Sequence, residues 1–581
     1  MADVQYLENL GRGTWSSLGC CQEAFAVALD RCTESRLVQR IWGRDGSLWK
    51  VDEVSIAAIE DRLGWLDLPS QMQLDIERLL AMGMELRSEG IERVILLGMG
   101  GSSLAPEVMS RVLPVAEGYP TLAILDTTDP AQIARVAAEG ELAKTVFIVA
   151  SKSGTTAETL SLYTHFRRAV EKEVGETWPR HFVAITDPDS LLAKMGDESA
   201  FRNVYLNPPD IGGRYSALSL FGLVPAAMIG VDLDDLLSRA NEMADICKGS
   251  RLLADNHGVS LGMVMGAAAN MEDPDRRDKL TLIASPRLRA FGAWAEQLIA
   301  ESTGKDGVGI VPVEGEPLSL ASLAGDDRCY VYMRLDGDDN AEADQRVAAL
   351  VEQGHPVMAI GVGDARDLGA EFFRWEVATA VAGFLLGINP FDQPDVELAK
   401  VQARDALERY QGTQTLEEEP LVLTEGALCF GSTEADLSTE TAAAYVGAFL
   451  GAAAPGDYVA VMAYIDRNDT HERALRVMAT SMSEALGVPV TVGFGPRFLH
   501  STGQLHKGGR NNGLFVQITQ DDPEDIGIPD KPYTFSILKR AQALGDRQAL
   551  AGAERRTLRV HLGADTEAGL AALGALLNRG L

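Results

Sequence analysis

Between Arg93 and Asp189 the chain alternates four short apolar runs with stretches of helical spacing. The runs are "RVILLGMGG" (93–101), "TLAILDTTD" (121–129), "TVFIVASKSG" (145–154) and "FVAITDPD" (182–189). Strands that are apolar almost throughout have both faces buried, and helical segments between them favour parallel pairing. A second set follows in "LTLIASP", "VGIVPV", "CYVYMRL" and "PVMAIGVG". The polar, acidic stretch "YQGTQTLEEEPLVLTEG" (410–426) reads as a linker. A third set lies beyond it, from "DYVAVMAYI" to "TLRVHLG" and a last Ala/Leu-rich helix. The expectation is three α/β units over 1–235, 236–410 and 411–581, the first opening with a helical segment over about residues 20–90.

Composition narrows the partners. The 581 residues carry a net charge of −32, which argues against nucleic acid or an anionic membrane surface as the main partner. Cations and backbone amides gathered at one pocket can still hold a phosphorylated metabolite. Six cysteines (Cys20, Cys21, Cys32, Cys247, Cys329, Cys429) form no CxxC pair, so neither zinc nor a disulfide framework is expected. The start "MADVQYLENLGRG" has no basic-then-apolar leader, and no apolar run approaches the ~20 residues of a membrane span. The expected setting is cytoplasmic.

Ligands of open parallel sheets sit beyond the carboxyl ends of the strands, and two loops rich in small residues occur at such ends. "LLGMGGSSLAPEV" (96–108) is a strand, a glycine turn and then Ser102 and Ser103 opening a helix. That turn suits an anion, though Gly98-Met99-Gly100 with Asp126 at the next strand end also imitates a dinucleotide fingerprint. "SKSGTT" (151–156) adds four hydroxyls and Lys152 beside a second helix start. Clustered short donors match the three acceptor oxygens of a phosphate monoester, the ordinary alternative being a helix cap with spare hydroxyls. Arg214 follows the Gly212-Gly213 turn and can face developing negative charge. Gln297 and Glu301 stand four residues apart on one helical face, where Glu301 is a candidate general base.

In order, "GMGGSSLAP", "SKSGTTAET", "GGRYSALS", "WAEQLIAESTGK" and "NPFDQPDVELAK" resemble the signature segments of phosphoglucose isomerases, and they span residues ~90–400. The flanking regions look more like the isomerase half of fused transaldolase–phosphoglucose isomerase proteins. The resemblance implies two sugar-isomerase (SIS) domains with parallel, flavodoxin-like sheets, plus a third C-terminal α/β domain. It implies interconversion of D-glucose 6-phosphate and D-fructose 6-phosphate through a cis-enediol, another phosphosugar or a non-catalytic sugar-phosphate sensor being the alternatives. No cofactor or metal is implied, and a homodimer is common in the family. By resemblance, Gly101, Ser102, Ser151, Lys152, Ser153 and Thr156 line the sugar-phosphate site. Glu301 matches the base, Arg214 the enediolate-stabilising cation, Gln297 and Gln393 substrate contacts, and Lys400 a residue near the ring oxygen.

The sequence departs from the family where a ring-opening histidine is due. The interval "DGVGIVPVEGEPLSLASLAG" after Glu301 holds none, and the next, His355, reads as structural. The third unit offers "GPRFLHSTGQLHKGGRNNG" (495–513) instead, with His506 as the first choice and His500 as the second. A C-terminal unit that folds back onto the site is the expectation that follows. Ala399, beside Lys400, stands where the family usually has glycine.

Overall fold

The structure, a computed structural model, describes residues 5–8, 10–249, 252–416, 421–432 and 441–580. Of the linker "YQGTQTLEEEPLVLTEG", residues 417–420 lie outside the described residues, and 410–413 belong to the Val396–Thr413 helix. No helix among the described residues is long and apolar enough to cross a membrane.

Three sheets organise the chain. The first is wholly parallel, with Thr121–Leu125, Arg93–Gly98, Thr145–Ala150, Phe182–Thr186 and Asn203–Leu206 side by side in that order. Numbered along the chain this order is 2-1-3-4-5, the flavodoxin-like winding. Its strand order reverses between Arg93–Gly98 and Thr145–Ala150, so the glycine loop and the SKSGTT loop open into one crevice. Alternation of side chains explains how the sheet is buried. Val94, Leu96, Val146 and Ile148 enter one core, while Ile95, Leu97, Phe147 and Val149 enter another.

The second sheet places Val357–Val362, Arg328–Leu335, Lys279–Ala284 and Val311–Glu314 in parallel. Thr14–Ser17 adds to its edge antiparallel, with Thr14 opposite Ile360. The segment assigned to the first unit by sequence thus lends a strand to the second sheet, although Gly19–Ser88 is helical as expected from its spacing. Both sheets share one core, filled by the Leu220–Met228, His257–Ala269 and Leu368–Leu386 helices.

The third sheet runs Leu423–Glu425, Leu428–Ser432, Arg556–His561, Gly513–Thr519, Tyr458–Tyr464, Val490–Phe494, and the last four are parallel. This unit is not an appendage. Its Phe535–Gly552 helix buries Phe535, Leu538, Ala541 and Leu544 in the outer core of the first sheet, beside Ala406 and Leu407. One face of its sheet (Tyr458, Ala460, Met462, Tyr464) packs with Ala300, Val311 and Val313 of the second unit. Apolar burial on both sides fixes the third unit over the crevice of the first sheet.

Candidate active site

The glycine loop makes two close backbone contacts. Gly101 lies so near the Gly213 carbonyl that a Cβ there would stand 2.0 Å from its oxygen. Ser216 Oγ also donates to the Gly101 carbonyl at 3.2 Å, fastening the loop to the turn that carries Arg214. Gly100 has φ +53°, and a Cβ on it would stand 2.7 Å from the His500 carbonyl oxygen. Gly101→Ala is expected to push the Arg214 turn away. The melting temperature should fall in line with an overpacking cost of about 1–3 kcal/mol, and kcat should drop with it.

Next to it, the SKSGTT loop is ordered by its own hydroxyls. Ser151 and Thr156 share a hydrogen bond of 2.8 Å, Ser153 and Thr155 one of 3.0 Å, and Gly154 N donates to Ser151 Oγ at 3.1 Å. The Ala157–Val174 helix begins at Thr156 with no side-chain cap, so its first amides and its dipole face the crevice. Lys152 is already engaged. Its Nζ pairs with Asp187, whose carboxyl is pushed up by burial against that ion pair, and donates to the Pro209 carbonyl at 2.8 Å. The lysine thus ties the loop to the neighbouring strand ends. Lys152→Ala and Asp187→Asn should each raise KM roughly tenfold, the effect of losing one charge-assisted bond of ~1.5 kcal/mol. A lysine that met the substrate directly would give an effect in the first variant alone.

Arg214, 3% exposed, is held on every side. Its Nε donates to Ser302 Oγ at 2.7 Å, Nη1 to Gln393 Oε1 at 3.1 Å, and Nη2 to the Pro390 and Asp392 carbonyls at 2.8 Å each. The same Nη1 stands 3.4 Å from Glu301 Oε1, and Gln297 Nε2 donates to Glu301 Oε2 at 2.9 Å. Gln297 Nε2 also reaches the His500 carbonyl at 2.7 Å. Beneath them Lys305 pairs with Asp392 Oδ1 at 2.8 Å. Burial first, and Arg214 second, push this ammonium down to about 8.

The structure separates the two candidate histidines. His500 ends the Arg497–His500 turn, and its Nε2 lies 2.9 Å from Glu158 Oε1 at the opening of the SKSGTT helix. Burial disfavours the Glu158 carboxylate, but attraction and hydrogen bonding from His500 prevail and hold it below its usual range, with Lys400 adding to the pull. Gln542 Nε2 donates to the same oxygen at 2.7 Å. His506 is not brought to these groups. It sits 4% exposed between Phe515 and Phe498, with ring centroids 5.0 and 6.1 Å away. Burial and its cationic neighbours Lys507 and Arg555 keep its imidazole far below the usual value, hence neutral. The first-choice histidine is therefore shut away from the crevice and is not held in the protonated form that a general acid needs.

Lys400 is exposed and pairs with Glu397 at 2.7 Å, facing Glu158 only through space. His355 packs edge-on against Tyr330 in the second sheet, at 5.6 Å between centroids. Asp126, which imitated a ribose-binding acid, is taken by Arg497 at 2.9 Å and Ser103 Oγ at 3.2 Å. Sequence reasoning missed Glu158, Lys305 and Asp392. Glu158 stood inside the quoted "SKSGTTAET", where an acid in the first helical turn reads as an ordinary dipole complement.

The family model of phosphoglucose isomerase matches residues 67–315. A glucose-6-phosphate isomerase of Rubrobacter xylanophilus is 30% identical over 390 residues, 59% of this chain and 88% of that protein. A probable glucose-6-phosphate isomerase of Haloarcula marismortui is 31% identical over 355 residues, 55% of this chain and 79% of its own. Among solved structures, a hypothetical protein of Thermus thermophilus superposes with a TM-score of 0.56 at 26% identity, over 67% of this chain and 99% of its own. A glucose-6-phosphate isomerase of Chlamydia trachomatis shares the fold with a TM-score of 0.54 at 20% identity, over 66% and 86%. With the crevice, its acid and its arginine assembled on two parallel sheets, and with relatives matched over most of their length, the chain belongs to the phosphoglucose isomerase family.

Proposed function

We propose that the chain interconverts D-glucose 6-phosphate and D-fructose 6-phosphate. The observation that carries this reading is the convergence of Glu301, Arg214 and the His500–Glu158 pair around the loops at the first sheet's switch point. The hydroxyls of Ser151, Ser153, Thr155 and Thr156 and the uncapped helix amides receive the phosphate. Glu301, a carboxylate with 13% of its side chain exposed, takes the proton from C2 and returns it to C1. Arg214 needs no reorganisation to face the enediolate oxygen, since five neighbouring groups already fix it. His500, oriented by Glu158, exchanges a proton with the ring oxygen so that the closed sugar can open. Aldose and ketose share one oxidation state, so the reaction balances with these proton transfers alone.

The domain limits 1–235, 236–410 and 411–581 enter this proposal as functional divisions: the first two units supply the cradle and the base, and the third supplies His500. A coupled assay comparing glucose 6-phosphate with mannose 6-phosphate tests the reading. Turnover with the glucose ester is expected; a protein that binds both esters and converts neither would be a sensor instead.

A further inference from the structure

The His500–Glu158 pair is held from behind by a buried polar stripe of the third unit. Lys539, Gln542 and Asp546 recur three and four residues apart on the Phe535–Gly552 helix, which puts them on one face. All three are buried. Lys539 pairs with Asp129 at 2.6 Å and also with Asp522, fastening the helix to the loop that follows Thr121–Leu125. Asp546 takes Lys507 at 2.6 Å, in the Gly503–Gly508 helix just after His500. The stripe is thus anchored at one end to the first unit and at the other to the segment that carries the histidine.

Gln542 stands between these anchors with both ends of its amide used. Thr128 Oγ1 donates to its Oε1 at 2.8 Å, and its Nε2 donates to Glu158 Oε1 at 2.7 Å. His500 Nε2 meets that same carboxylate oxygen at 2.9 Å. The chemistry admits one arrangement. Glu158 is held ionised, so it can only accept, and the amide must turn its N–H toward it. The amide oxygen then needs a donor, which the buried Thr128 hydroxyl provides. By the same rule His500 carries the shared hydrogen on Nε2, which leaves Nδ1 for the ring oxygen of the sugar.

We propose that Gln542 is a positioning residue for ring opening: through Glu158 it fixes which nitrogen of His500 faces the sugar, and Thr128 in turn fixes Gln542. This role builds on His500 as the ring-opening group. Gln542 lies well outside the residues 67–315 matched by the family model. Without the amide, the buried Glu158 loses one of the two donors on Oε1, and with it the contact that keeps this oxygen in line with His500.

Anomer exchange of glucose 6-phosphate, read by NMR exchange spectroscopy on the full chain, tests the role. Gln542→Leu removes both bonds and should slow exchange about tenfold, the effect of losing one charge-assisted bond. Thr128→Val leaves Glu158 itself intact and should slow exchange about threefold, because the amide is then free to turn. Gln542→Glu supplies a readout that a merely structural role would not move. Protonated, the new carboxyl donates to Glu158 as the amide does; ionised, it repels it. Its exchange rate, divided by the wild-type rate at each pH, should therefore be near one on the acid side of neutrality and fall as the pH rises. The other ionised groups around the stripe are present in both proteins, so their own titration cancels in that ratio: Lys539 with Asp129 and Asp522, Lys507 with Asp546, and Lys400 facing Glu158. Wild-type exchange in both Gln542→Leu and Thr128→Val, or a Gln542→Glu ratio that does not change with pH, overturns the proposal. Should Gln542→Leu fail to fold, the other two variants decide it. His500→Ala separates the two levels. Full exchange there removes His500 from ring opening and this role with it, whereas exchange lost there but kept in Gln542→Leu overturns the role of Gln542 alone.

Discussion

Glu301→Gln is expected to lower kcat about a thousandfold and to leave KM within a few-fold of the wild type. The substitution keeps the shape of the side chain, and its amide oxygen can still accept from Gln297 Nε2, which now stands 2.9 Å from Glu301 Oε2. Arg214 loses an ion-pair partner at 3.4 Å but keeps its bonds to Ser302, Gln393, Pro390 and Asp392. The phosphate cradle is untouched. What disappears is only the carboxylate proposed above as the acceptor of a proton from carbon, so the loss is expected to fall on the chemical step. Steady-state kinetics with solvent-deuterium incorporation at C2 measures both quantities. Wild-type exchange in Glu301→Gln would remove Glu301 from the mechanism.

Much of this site was legible because its parts are local. A parallel strand, a glycine turn and an uncapped helix start are neighbours in sequence, and apolar alternation marks where each strand ends. Ser151, Thr156, Arg214 and Glu301 could be named from such segments. Contacts between distant segments were not legible. Lys152 reads as a free cation in "SKSGTT", and only folding places Asp187 beside it. Thr14–Ser17 carries no sign that its partner is Val357–Val362. Equally, no local pattern says that Phe535–Gly552 completes the core of a sheet some four hundred positions earlier in the chain. The two histidines of "HSTGQLH" show the same limit most plainly. They share one polar segment, yet the docking of that segment turns His500 to Glu158 and His506 into an aromatic pocket.

That difference yields a sharp pair of expectations. His500→Ala should lower turnover of the closed-ring sugar phosphate about a hundredfold, whereas His506→Ala should leave the catalytic rate and its pH profile close to wild type. His506→Ala removes a buried ring beside Phe498 and Phe515, so its cost should appear as a lower melting temperature. Deleting the third unit would not give so clean an answer. It would strip Leu538, 2% exposed, and its neighbours from the first sheet, and truncating one such leucine to alanine already costs about 2–5 kcal/mol. Point variants avoid that damage, and ring opening can be read separately from isomerisation. Exchange between the α and β anomers of glucose 6-phosphate needs the ring to open but needs no proton from C2. NMR exchange spectroscopy should therefore find anomer exchange catalysed by Glu301→Gln and lost in His500→Ala. Glu158→Gln should fall between them, because it leaves His500 in place but replaces the carboxylate that orients its ring with a neutral amide. Anomer exchange at full rate in His500→Ala would return the ring-opening role to another group.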